Sequence, residues 1–315
     1  MVRFYDLHPP MADFKQEVLD GLATSPKEIS PKFFYDKRGS ELFDQITTLP
    51  EYYPTETELT ILETHRNEMI DLLGKNCLLV ELGSGSSQKI RLLLDSLKPA
   101  AYAPMDISKQ HLLDAANALK EDYPNLDIHA ICADYSTDFE LPYSPDDLPH
   151  AGFFPGSSIG NFRPEDAQVL LKQVAHLLGQ DARLLIGVDL KKQADILNAA
   201  YNDAQGVTAA FNLNLLTRIN RELDGEFDIE NFSHHAFYNE DKGRIEMHLK
   251  SDVAQTVKIG QQTFNFVKDE TIHTENSYKY SVAQFQQLAS EVGFKTVEVW
   301  TDKDNLFSVH CLQVV

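Results

Sequence analysis

Three cysteines in 315 residues, Cys77, Cys132 and Cys311, are too few and too widely spaced for a disulfide framework, and their number is odd. Their apolar neighbours suit buried thiols in a reducing compartment, so a cytoplasmic protein is expected. No run of 18 apolar residues occurs, which argues against a membrane-spanning helix, and Arg3 is followed by no apolar stretch of the kind a secretory signal needs. Basic residues are scarce as well: 28 Lys and Arg face 48 Asp and Glu, a formal charge of −20. Such a surface repels phosphate backbones and anionic lipid, so neither nucleic acid nor membrane is expected as a partner. The eleven histidines contain no His-Glu-x-x-His, and the adjacent pair His234-His235 has no third ligand at metal spacing. No metal site is expected, and the pair is expected on the surface.

Apolar residues make up 43% of the chain and aromatics 10%, enough to bury a large core. At about 150 residues per domain, the length favours two domains or one with a large insertion. From Cys77 to Val188 short apolar runs alternate with helical periodicity, the pattern of a parallel sheet flanked by helices. Expected strands are Cys77 to Leu82, Ala101 to Met105, Asp127 to Cys132, Gly152 to Ser157 and Arg183 to Val188, each nearly continuous in apolar character. Ile90 to Leu97, His111 to Leu119 and Val169 to Leu178 are expected helices between them. Ahead of this core, Thr55 and Glu58 form a capping-box pattern for a helix carrying Leu59, Leu62, Met69 and Leu73.

Earlier still, the chain is punctuated by Pro9, Pro10, Pro26, Pro31 and Pro50, with one amphipathic stretch at Phe14, Val18, Leu19 and Leu22. After Val188 the alternation stops. Helices are expected within Ala194 to Leu223, then strands at Arg244 to Lys250, Thr256 to Ile259 and Thr263 to Val267, with Gly260-Gln261-Gln262 as a turn. Ser281 to Phe294 reads as a helix ending at Gly293, and Thr296 to Trp300 with Phe307 to Val314 as a terminal hairpin. The expected fold is α/β: a doubly wound, Rossmann-like domain of residues 57–190 and 281–315, and an α+β second domain of residues 1–56 and 191–280.

Val80-Glu81-Leu82-Gly83-Ser84-Gly85-Ser86-Ser87 lies where the first strand passes into the first helix, and its glycines let backbone approach a ligand. The missing third glycine argues against a pyrophosphate fingerprint, and no Gly-Lys-Ser/Thr follows to make a P-loop. Asp106, at the end of the second strand, is placed to accept both ribose hydroxyl protons. Asp134, after the third strand, can accept from an adenine amine, with Tyr135 beside the ring. Adenosine without phosphates points to S-adenosyl-L-methionine. Asn161, in the segment Pro155 to Phe162, falls at the same carboxyl edge, where its amide can orient an amine or a carboxylate.

Several segments form a distinctive set: Phe34-Tyr35-Asp36-Lys37-Arg38-Gly39-Ser40, Leu49-Pro50-Glu51-Tyr52-Tyr53-Pro54-Thr55, Glu81 to Ser86, Pro155 to Asn161, Tyr201-Asn202-Asp203, Gly206 to Asn212 and Ile272 to Ser277. With them the chain resembles, over almost its whole length, the bacterial histidine Nα-methyltransferases, which trimethylate histidine to hercynine in ergothioneine biosynthesis. The resemblance implies that Gly83, Lys89, Asp106, Asp134 and Tyr135 hold S-adenosyl-L-methionine. It implies that Tyr52, Asn161 and Tyr201 hold the amino and carboxylate groups of L-histidine and of its mono- and dimethyl forms. Tyr35 lines the same pocket, Asn161 and Tyr35 being the catalytic candidates, while Glu275 and Ser277 meet the imidazole and Met247 supplies an apolar wall. A monomer is expected.

A carboxylate and a hydroxyl two residues apart on an extended segment point the same way, so Glu275 and Ser277 can engage both imidazole nitrogens. Methyl transfer from a sulfonium needs no metal, and no single proton acceptor stands out. Two other functions compete: N-methylation of another aromatic amino acid, such as a tryptophan derivative, and a non-catalytic S-adenosylmethionine-binding regulator, which would not need a polar amino-acid pocket.

Overall fold

A computed structural model of the chain describes residues 1–7, 11–85, 88–137, 140–145 and 147–315. Pro9, Pro10, Ser86 and Ser87, singled out above, lie outside the described residues. Along the chain the strands are β1 (Arg3–Asp6), β2 (Lys27–Glu28), β3 (Leu78–Leu82), β4 (Ala101–Asp106), β5 (Asp127–Cys132), β6 (His150–Phe154) and β7 (Arg183–Asp189). There follow β8 (Phe232–Asn239), β9 (Arg244–Ser251), β10 (Gln255–Ile259), β11 (Gln262–Phe266), β12 (Thr271–Tyr278), β13 (Phe294–Thr301) and β14 (Phe307–Val314). The helices are α1 (Met11–Ala23), α2 (Lys37–Ile46), α3 (Tyr53–Leu73), α4 (Gln88–Leu97), α5 (Lys109–Asp122), α6 (Pro164–Leu178), α7 (Ala194–Ala200), α8 (Val207–Leu223) and α9 (Val282–Ser290).

Two compact units result, one of Met1–His8, Pro54–Lys191 and Tyr278–Val315, the other of Pro9–Tyr53 and Lys192–Ser277. The first unit is built on an eight-stranded sheet in the order β1-β5-β4-β3-β6-β7-β14-β13. Its first six strands run parallel, and β14 and β13 are antiparallel additions. Every residue of β3, Leu-Leu-Val-Glu-Leu, is buried, as a central parallel strand covered on both faces requires. Leu78, Val80 and Leu82 pack with Leu170, Leu171 and Val174 of α6 and Phe285 of α9. Leu79, on the opposite face, packs with Leu62 of α3, Leu93 of α4 and Leu112 of α5. Each such leucine contributes about 1.5–3 kcal/mol by leaving water. Arg3–Asp6, assigned to the second domain from sequence, forms β1 beside β5 at the edge of this sheet.

Local chemistry moved some expected boundaries. The strand expected over Gly152 to Ser157 ends at Phe154, because Pro155 has no N–H to pair and Gly156 turns the chain at φ +81°. The helix expected to reach Phe294 stops at Ser290, and Phe294 opens β13 instead. At its start, Ser281 and Gln284 do form a reciprocal capping box. The box expected at Thr55 and Glu58 does not form: α3 begins at Tyr53, and the Glu58 carboxylate turns inward to other partners.

In the second unit a four-stranded sheet, β2-β12-β9-β8, and the hairpin β10-β11 are covered by helices. Phe211, Leu215 and Ile219 of α8 share one core with Leu42 of α2, Phe14 and Val18 of α1, and Ile245, Met247 and Leu249 of β9. Alternation along β9 sends Glu246 and His248 to the other face. The strands β1, β2 and β8 were not foreseen, and of β12 only the extended stretch carrying Glu275 and Ser277 was.

Candidate functional site

In the first unit the cofactor candidates gather where β3, β4 and β5 end. After β3 the chain turns through Gly83 at φ +67°, a conformation costly for any residue with a Cβ, and its N–H donates to Met105 O at 2.9 Å. Asp106, the last residue of β4, accepts from the Gly85 N–H at 3.1 Å and the Ser108 N–H at 2.9 Å. Burial pushes its carboxyl up against the pull of these N–H groups, and it keeps lone pairs for further donors. Asp134 accepts from the Ser136 N–H at 3.0 Å. The Tyr135 ring meets Phe154 edge-on with centroids 5.6 Å apart, and burial raises its phenol far above the ordinary value, so the hydroxyl stays neutral.

This cradle fits an adenosine-bearing cofactor. Among the described residues, a Cβ at Gly85 would meet nothing within 4 Å, one at Gly83 would stand 3.6 Å from the Tyr135 hydroxyl, and the buried Ser84 Oγ has no hydrogen-bond partner. Open space, a carboxylate and an unused polar atom converge at the β3–β4 edge, beside the point where the strand order reverses and open α/β sheets bind ligands.

Asn161 ends a short 3-10 turn, Ser158–Asn161, and is half-buried. Three contacts fix this loop. Ser157 sits at φ 58° with its Oγ accepting from the Asp189 N–H at 2.8 Å. A Cβ at Gly160 would come within 2.8 Å of Tyr278 O, so the two backbones lie against each other. Gly156 donates its N–H to both carboxylate oxygens of Glu58, at 3.1 and 2.9 Å. Lys89, expected near the cofactor, makes an ion pair with the same Glu58 at 2.5 Å. Nearby Glu81, fully buried and bonded by the Tyr102 hydroxyl, has its carboxyl pushed up by burial to about 8.

Tyr35, Tyr52, Tyr201, Glu275, Ser277 and Met247 all belong to the second unit. Tyr35 and Tyr52 both pack edge-on against Phe43, and Tyr52 packs edge-on against Tyr201 at 6.3 Å. Asp36 caps α2 by accepting from the Gly39 N–H at 2.7 Å, and Asn214 and Arg221 hold its carboxylate. A Cβ at residue 39 would collide with Phe34 O at 1.7 Å, which explains the glycine in the Tyr35 motif. Asp203 likewise caps α8 through the Val207 and Thr208 N–H groups, fixing the chain just after Tyr201. Tyr201 donates to Ser277 Oγ at 2.8 Å. On β12 the burial alternation slips: Ile272 and Thr274 are buried, then Glu275 and Ser277, so the carboxylate and the hydroxyl share a side.

A polar network behind this cluster escaped the sequence reading. His234, expected on the surface, is half-buried: its Nε2 contacts Tyr201 O at 2.9 Å and its Nδ1 the Asn212 amide at 2.9 Å. His235 alone of the pair is exposed. Asn212 also donates to His248 O and accepts from Thr274, whose hydroxyl lies 3.1 Å from Met247 O. Burial lowers the His234 pKa and keeps the ring a neutral acceptor-donor. The sequence signals were Tyr201, Asn212 and Thr274, each within one of the distinctive segments.

On the outer face of the sheet Glu246, His248 and His273 place ligand-type atoms within 4.8 Å of one another, a grouping that sequence spacing did not suggest. The His248 and His273 rings stack at 4.7 Å with planes 15° apart, and Arg244 holds Glu246 at 2.7 Å. Burial would raise the Glu246 carboxyl, but the Arg244 and His248 hydrogen bonds pull it down to about 2, while burial drives His248 to about 4. The Arg244 guanidinium and His248 Nε2 hold the carboxylate, while the buried His248 Nδ1 has no hydrogen-bond partner among the described residues.

A parallel α/β sheet with a nucleoside cradle at its carboxyl edge defines a nucleoside-cofactor enzyme of the doubly wound class. Residues 14–314 match the family model of the histidine-specific, S-adenosylmethionine-dependent methyltransferases, and the chain belongs to that family, with S-adenosylmethionine as methyl donor. It is similar to the histidine N-alpha-methyltransferase of Mycolicibacterium smegmatis, 41% identical over 298 residues and 91% of each chain. The protein of that name from Mycobacterium tuberculosis is 38% identical, covering 94% of this chain and 93% of its own. Ergothioneine biosynthesis protein 1 of Neurospora crassa is 30% identical over 91% of this chain, which spans 33% of that longer protein. No helix among the described residues is long and apolar enough to cross a membrane.

Proposed function

We propose that this chain transfers three methyl groups in succession from S-adenosylmethionine to the α-amino group of L-histidine, yielding hercynine. The observation that carries this reading is likeness over nearly the whole chain to two proteins named histidine N-alpha-methyltransferase, at 41% and 38% identity. The buried pair Glu275 and Ser277 supports the imidazole as the recognised side chain.

In the first unit Gly83, Lys89, Asp106, Asp134 and Tyr135 are assigned to the cofactor and Asn161 to orienting the amine. In the second, Tyr52 and Tyr201 are assigned to the amino and carboxylate groups, Glu275 and Ser277 to the imidazole, Met247 to an apolar wall and Tyr35 to the pocket lining. The cofactor supplies a methyl carbon already activated by positive sulfur. The protein's task is then to align a neutral amine lone pair with the methyl–sulfur bond and to exclude water. An amine is protonated near neutral pH, so its proton leaves before attack, to solvent or by way of a tyrosine hydroxyl. Each methylation removes an N–H donor, and aromatic faces such as Tyr35 and Tyr52 accommodate the final quaternary ammonium. Three free, buried cysteines suit a cytoplasmic setting, and we assign the working form as a monomer.

The test is to incubate the protein with S-adenosylmethionine and all twenty amino acids and identify products by mass spectrometry. Trimethylated histidine is expected. Methylation of tryptophan in place of histidine would move the reading to another aromatic substrate, and absence of any methylated amino acid would overturn it.

A further inference from the structure

The Glu58 carboxylate is wholly buried on the first turns of α3, in contact with no residue assigned to substrate and with one, Lys89, assigned to cofactor. It reaches three separate parts of the first unit. Both oxygens accept from the Gly156 N–H, Lys89 of α4 lies 2.5 Å away, and β7 makes room for it, since a Cβ at Gly187 would fall 2.2 Å from Glu58 Oε1. Gly156 is five residues before Asn161, on the loop that Ser157 and Gly160 also pin. A Cβ at Gly156 would itself stand 3.5 Å from Lys89 Nζ.

We propose that Glu58 is a positioning residue: through one buried carboxylate it fixes the Lys89 ammonium and the Gly156–Asn161 loop in a single arrangement. This inference rests on the assignment of Asn161 to the amine. A carboxylate this deeply buried is costly without partners, and here Gly187 leaves room for it, the Gly156 N–H binds it and one ammonium neutralises it. Such a group fixes geometry: losing either partner leaves an uncompensated charge, so the loop and the lysine settle together. Because turnover depends on the angle at which the amine meets the methyl carbon, a small displacement of Asn161 reduces rate without removing any atom that touches substrate.

The test is a double-mutant cycle of Glu58→Gln and Asn161→Ala, read as kcat/KM for histidine, with folding checked by circular dichroism and melting temperature. Gln keeps an acceptor for Gly156 and removes the charge. Alone it is expected to lower kcat/KM about tenfold or more, and in the Asn161→Ala background to cost no more than about threefold, because the loop's purpose is already lost. A merely structural role would cost the same factor in both backgrounds, and that result overturns the proposal. So does a folded Glu58→Gln protein with unchanged kcat/KM. If Glu58→Gln does not fold, Glu58→Asp, which keeps the charge and withdraws it by one methylene, enters the same cycle under the same criteria. Full activity of Asn161→Ala alone would instead sink the assignment of Asn161, a separate outcome.

Discussion

Tyr201 donates its hydroxyl proton to Ser277 Oγ at 2.8 Å, and both residues are buried. The bond ties the end of α7 to β12, so an assigned carboxylate-binding tyrosine and an assigned imidazole-binding serine hold one another in place. Tyr201→Phe should cost about 0.5–1.5 kcal/mol of histidine binding, read as a several-fold rise in KM. Ser277→Ala in the Tyr201→Phe protein should add less than it does alone, since each variant breaks the same bond. Steady-state kinetics on the four proteins checks this, and fully additive losses would separate the two residues.

Asp106 carries a second expectation. Its carboxylate ends β4 with two N–H donors already bound and lone pairs left over. Asp106→Asn should weaken S-adenosylmethionine binding by about 1–3 kcal/mol, as expected when a charged acceptor becomes neutral. Titration calorimetry on the folded variant decides it, and unchanged affinity would reduce Asp106 to a turn residue.

Glu81 predicts a pH effect of definite sign. Burial raises its carboxyl from 4.5 to about 8, so between those values the folded chain holds a proton that the unfolded chain has released. Stability on this account falls as pH rises from about 4.5 to about 8 and then levels off. Glu81→Gln, which can still accept from the Tyr102 hydroxyl, removes that slope. The variant should melt close to wild type at pH 5 and above it at pH 8.5; a gap that does not change with pH would contradict the account.

Periodicity made the first unit legible. The nearly continuous apolar run of β3, buried at every residue, and the i, i+3, i+4, i+7 spacing of Ile90, Leu93, Leu94 and Leu97 on α4 are patterns visible without a structure. The positions of Asp106 and Asp134 at and just past the carboxyl ends of β4 and β5 were readable from the same pattern. Less visible was β12, whose burial phase slips between Thr274 and Glu275 and so shows no clean alternation. Glu58 was misread because a capping box and a buried anchor share the same local sequence, and only the fold brings Gly156 and Lys89 to it. His234 was misread for the same reason: its partners Tyr201 and Asn212 come from other elements.

The central claim is that Glu275 makes this a histidine enzyme. On the proposed reading Glu275 accepts from an imidazole N–H, a bond that an apolar ring cannot offer, and such a mismatch discriminates more strongly than pocket size. The direct measurement is kcat/KM for histidine, tryptophan and phenylalanine in the wild type and in Glu275→Ala. Wild type should favour histidine over phenylalanine by orders of magnitude, and the variant should lose most of that preference through a higher KM for histidine while still binding S-adenosylmethionine normally. A wild type that prefers tryptophan, or a Glu275→Ala protein that keeps the full preference for histidine, would contradict it.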